Sequence, residues 1–119
     1  MSLREFQTAL ASSSPTPGGG TAAAVSLGQA AALSCMVADL TLGKEKWESG
    51  WEIAEKTQEC AIGMFGRALD LATDDSRSFD AVMMTFKLAK NSDEEKEIRR
   101  QAIREATLGA AEVPLETAR

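Results

Sequence analysis

Apolar and polar positions recur at helical spacing along the whole chain, and no segment shows the strict alternation of a half-buried strand. A short first helix is predicted over Leu3 to Ala11. It is closed by Ser12-Ser13-Ser14-Pro15-Thr16-Pro17-Gly18-Gly19-Gly20, the one strong breaker in the N-terminal half. A long helix is predicted next, from Gly20 or Thr21 to Leu42, with Gly43 as its C-cap. Its small residues Ala24, Gly28 and Ala32 recur every fourth position, a ridge that lets another helix approach closely. A third helical region runs from Trp51 to Leu88, with Gly63 and Gly66 as weak points. The last runs from Asn91 or Ser92 to Ala111. There Ser92 and Glu95 form a capping box, Asp93 and Glu94 suit the helix N-terminus, and Val113-Pro114 is expected to end the helix. The pattern predicts an all-α protein, a bundle of long antiparallel helices without β-sheet, in one domain over 1–119.

The second helix raises the question of a membrane, because no charged residue lies between Phe6 and Ala38. Its composition is mostly Ala, Ser, Gly and Thr, weak drivers of insertion, so a helix buried in protein is expected. With 18 acidic and 13 basic side chains, the net charge of −5 argues against a nucleic-acid partner. The absence of histidine excludes a Ser-His-Asp triad, a Cys-His pair and a His-ligated zinc within this sequence. Acid–base chemistry then falls to carboxylates, lysines or bound water. No metal site is expected. Cys35 and Cys60 form no motif and read as two buried thiols, and a cytoplasmic location is expected from the lack of an apolar leader.

One carboxylate stands out. Met64, Ala68, Leu71, Asp75, Phe79, Val82 and Phe86 fall on one helical face, and Asp75 is its only polar member. A carboxylate there is paired, functional, or the cap of a second helix that starts at a break. The block Pro17-Gly18-Gly19-Gly20 leading into a helix is either a plain turn or a backbone cradle for a ligand. It is neither a Walker loop nor a dinucleotide fingerprint. Lys44 and Lys46 follow a helix C-terminus, where cations are favourable anyway. Trp47 and Trp51, four apart, are expected on one face, as core packing or a ligand platform.

Taken together, Ala11-Ser12-Ser13-Ser14-Pro15-Thr16-Pro17-Gly18-Gly19-Gly20-Thr21, Met36-Val37-Ala38-Asp39-Leu40-Thr41-Leu42-Gly43-Lys44, Asp75-Ser76-Arg77-Ser78-Phe79-Asp80, Lys87-Leu88-Ala89-Lys90 and Val113-Pro114-Leu115 resemble the cyclodeaminase/cyclohydrolase family of folate enzymes. The resemblance implies an all-helical, commonly dimeric protein with a reduced folate bound in a cleft among helices and no separate cofactor. It implies Asp75 as the catalytic group, with Pro17, Gly18, Gly19, Gly20, Thr41, Lys44 and Phe79 near the substrate. The implied reaction closes 5-formiminotetrahydrofolate to 5,10-methenyltetrahydrofolate with loss of ammonia. Alternatives are hydrolysis of the methenyl compound and a non-catalytic helical oligomer of the same family. Family domains continue past Pro114-Leu115 with further helices, so residues 1–119 are expected to be an incomplete family domain.

Overall fold

The computed structural model describes residues 1–119 and holds four α-helices and no strand. They are α1 (Leu3–Leu10), α2 (Gly19–Thr41), α3 (Trp51–Thr85) and α4 (Asp93–Ala118), with a 3-10 segment, Glu45–Gly50, between α2 and α3. The all-α class read from periodicity is the class observed.

Local chemistry sets most helix ends. At α1 the Ser2 hydroxyl accepts from the Glu5 N–H at 3.1 Å, and the Glu5 carboxylate accepts from the Ser2 N–H at 2.6 Å. The backbone N–H of Ser2, and then its hydroxyl, hold the Glu5 carboxyl below its ordinary value. Past α2, Gly43 takes φ of +82°, the left-handed geometry that stops a helix and favours glycine. At α4 the Ser92 hydroxyl accepts from the Glu95 N–H at 3.1 Å, while the Glu95 carboxylate reaches one residue further, to the Asn91 N–H at 3.0 Å.

Helices α2 and α3 lie antiparallel: Thr21 meets Asp75, Gly28 faces Ala68, and Asp39 accepts from the Gln58 amide. The buried residues are almost all alanine, with Ala24, Ala31 and Ala38 on α2 and Ala54, Ala61 and Ala68 on α3, each set repeating every seventh position. A Cβ at Gly28 would lie 3.2 Å from that of Ala68, so the two backbones are close. The seam departs from the expected Ala24-Gly28-Ala32 line, passing instead to Ala31, with Ala32 only half-buried. Steps of four alone drift about 40° each around a helix, so a straight contact alternates fours and threes.

Four further expectations are corrected. α3 runs unbroken through Gly63, Gly66 and Asp75, so Asp75 caps nothing. A Cβ at either glycine would meet nothing, and about 1 kcal/mol per glycine does not interrupt a helix packed along its length. α4 does not end at Val113-Pro114 but continues to Ala118, because contacts grip it on both sides of the proline. Val113 packs on Ala24, Leu71 and Ala72, and Glu116 pairs with Arg67 at 3.5 Å. Trp47 and Trp51 do not share a helical face, since residues 45–50 coil with a 3-10 turn; Lys46 covers the Trp47 ring, while the Trp51 indole donates to the Thr41 carbonyl at 3.0 Å. Cys35 is half-buried and Cys60 exposed, and both are free.

The expected burial of α2 is met on one face only. The helix is long and apolar enough to cross a bilayer by length and composition, and here its small-residue face is covered by α3 while Leu33, Met36, Val37 and Leu40 stay exposed. The molecule is a thin slab of 73 × 27 × 15 Å. Its radius of gyration is 20.0 Å. A compact chain of this length would have about 13–14 Å.

Candidate functional site

Asp75 projects from the middle of α3 onto the first turn of α2. A Cβ added at Gly20 would lie 2.6 Å from the Asp75 Cγ and would overlap both carboxylate oxygens. Glycine is therefore required at position 20 by the approach of that carboxylate, whereas Gly18 and Gly19 carry no comparable constraint. The α2 N-terminus has no side-chain cap, so its first N–H groups are not satisfied by a neighbouring side chain.

Thr21, one of the nine buried residues, fixes the carboxylate. Its hydroxyl donates to Asp75 Oδ2 at 3.1 Å and shares a second hydrogen bond with the Ser76 hydroxyl at 2.8 Å. Ser78 donates to the Asp75 carbonyl at 3.0 Å. The loop before α2, whose Thr16–Pro17 bond is cis, is tied to α3 by the Thr16 hydroxyl, which donates to Asp80 at 2.8 Å. Asp80 is thus part of the scaffold.

In front of Asp75 lies a cavity of about 320 Å³. Its walls are the Gly18-Gly19-Gly20 backbone, Ser78, Phe79 and, from α4, Ala110 and Pro114. That volume is at the lower end of small-molecule sites. Pro17 lines a neighbouring cavity of about 610 Å³ on the α1 side, with Phe6, Thr21, Ser76, Arg77 and Asp80.

Residues 17–20, Asp75 and Phe79 therefore converge. Thr41 and Lys44 do not: Thr41 is the last residue of α2, about 33 Å from its start at 1.5 Å per residue, and Lys44 lies beyond it. The Thr41 hydroxyl donates to its own helix, at the Val37 carbonyl, and Lys44 is exposed. An apolar groove of about 400 Å³ lies there instead, lined by Val37, Thr41 and Ile53 among others. Thr21, Ser76, Ala110 and Pro114 were not singled out as site residues by spacing. Their partners lie on other helices, so local periodicity carries no signal for them.

Residues 2–119 match the family described as Formiminotransferase-cyclodeaminase. The chain belongs to that family. A methenyltetrahydrofolate cyclohydrolase of Methylorubrum extorquens is 43% identical over 113 residues, which are 95% of this chain and 54% of that protein. A formimidoyltransferase-cyclodeaminase of Gallus gallus is 34% identical over 116 residues, 94% of this chain and 21% of its own length. The crystal structure of formiminotetrahydrofolate cyclodeaminase from Thermotoga maritima superposes with a TM-score of 0.77 at 33% identity, covering 98% of this chain and 54% of that one. This cyclodeaminase-family chain thus spans about half the length of the Methylorubrum and Thermotoga proteins.

Proposed function

We propose that this chain carries the proton-transfer half of a folate one-carbon site, with Asp75 as its catalytic group. The observation that supports the reading is the cradle itself. A carboxylate is held by Thr21 against a glycine, beside a cavity, in a family whose relatives are folate cyclodeaminases and cyclohydrolases.

In the cyclodeaminase reaction N10 of the folate attacks the formimino carbon, the carbon–nitrogen bond to the departing group breaks, and ammonia leaves as the methenyl bridge closes. The formimino group enters as its protonated amidinium, so the proton lost by N10 is the one the departing nitrogen still needs to leave as ammonia, and a single carboxylate serves as base and then as acid. Its negative charge also favours the amidine-like cation. Hydrolysis of a methenyl folate is the second reading, favoured by the 43% identity to the Methylorubrum enzyme. There Asp75 would take a proton from the attacking water. Phe79 and the Gly18–Gly20 backbone would hold the ring system. Lys44 and Thr41 stand too far along α2 to share that ligand within one chain. The working form is a homodimer or higher oligomer.

Calorimetric titration with a reduced folate tests binding, and Asp75→Asn in the active full-length protein tests the chemistry. The variant should keep its helical content and lose about 10²–10⁴-fold in turnover. Full turnover by Asp75→Asn overturns the catalytic assignment.

A further inference from the structure

We propose that the main-chain carbonyl of Ala110 is a ligand-binding group, kept free by Pro114 to accept a hydrogen bond from an N–H of the reduced pterin ring beside Asp75. It rests on the folate reading above.

In an α-helix the carbonyl of each residue is aimed at the N–H four residues on. Pro114 stands inside α4, four residues before the helix ends at Ala118. It has no N–H to offer Ala110, and an interior proline is strongly disfavoured in a helix. Residues four apart share a helix face, and here Ala110 and Pro114 both line the cavity that holds Asp75, Gly20 and Phe79. The carbonyl that Pro114 leaves without its usual donor thus belongs to a residue of the cavity wall. The helix survives the gap because Val113 and Glu116 anchor it to α3 on other faces.

A carbonyl and a carboxylate both accept hydrogen bonds, and both are negative at their oxygens. An anion placed between them would be repelled. A ring system that offers N–H donors fits, and a reduced pterin carries them on its ring nitrogens and its amino group.

Two variants of the full-length protein separate the carbonyl from the ring of the proline. Pro114→Ala restores an N–H that recaptures the Ala110 carbonyl. Replacement of Pro114 by lactic acid, through nonsense suppression, gives the same side chain on an ester link with no N–H. In calorimetry with 5-formyltetrahydrofolate, Pro114→Ala should bind about five- to tenfold more weakly and melt at a higher temperature. The ester variant should return to within about twofold of the parent affinity. Parent-like binding by Pro114→Ala, or equal weakening of both variants, overturns the proposal and leaves the folate reading standing. A parent protein that binds no reduced folate overturns the folate reading, and the role of Ala110 with it.

Discussion

At the scale of single residues, Gly20 and Asp75 make one unit, and their coupling is measurable. A methyl group at position 20 overlaps the carboxylate, so Gly20→Ala must push Asp75 out of its hydrogen bond with Thr21. Overpacking of that kind costs about 1–3 kcal/mol. In an Asp75→Ala background the overlap is gone, and the same change should be neutral or stabilising by up to about 1 kcal/mol, because alanine is the better helix residue. Chemical denaturation of the four variants closes the cycle. Additive effects would mean that the carboxylate does not rest on Gly20. Asp75 itself was legible in the sequence, since a lone carboxylate in an apolar stripe breaks the pattern. Thr21, Ser76, Thr16 and Asp80 were not, because their bonds join residues 54–64 positions apart and leave no local trace.

Elements were legible where their ends are set by neighbouring residues, and illegible where distant contacts decide. The Ser92 cap, the glycine stop at Gly43 and the breaker before α2 all act within a few residues, and each was found at or next to its expected place. The extension of α4 through Pro114 was not, since it depends on Val113 and Glu116 gripping α3. The Ser2–Glu5 box of α1 yields a prediction with a definite sign. The folded carboxyl lies below its ordinary value because the Ser2 backbone N–H and hydroxyl favour its charged form. Its contribution to α1 is therefore complete above the ordinary glutamate value and fades as pH falls through the lowered one. Cα chemical shifts of residues 3–10 should move toward random coil across that acidic window, together with the Glu5 carboxyl resonance. Ser2→Ala keeps the backbone N–H, the larger cause, and removes the hydroxyl, so it should move the Glu5 titration only part of the way back to its ordinary range. Shifts that ignore pH, or a Glu5 that titrates at the ordinary value in the parent, would contradict the box.

The whole molecule has too little interior for its length. Nine residues are buried, seven of them alanines, while Leu33, Met36 and Leu40 on α2 and Ile62, Phe65 and Leu69 on α3 remain open. An alanine seam brings helices close but removes little apolar area from water, and at about 25 cal/mol per Å² the large side chains left outside carry more unspent driving force. Exposure on that scale is unusual for a monomer and usual for a surface that meets another. A second copy supplies a matching apolar face by symmetry, so the protein is expected to sediment as a dimer or higher oligomer at micromolar concentration. Its melting temperature should rise with concentration, because association stabilises only the folded form. Substitution at the open stripe gives an independent test. On a free surface, Leu69→Lys would change stability by about 0.5 kcal/mol or less. In a covered interface, an unpaired ammonium must be desolvated, so Leu69→Lys should dissociate the assembly and lower the melting temperature. A well-folded parent monomer with a concentration-independent melting temperature, and a Leu69→Lys variant indistinguishable from it, would show that the slab stands alone.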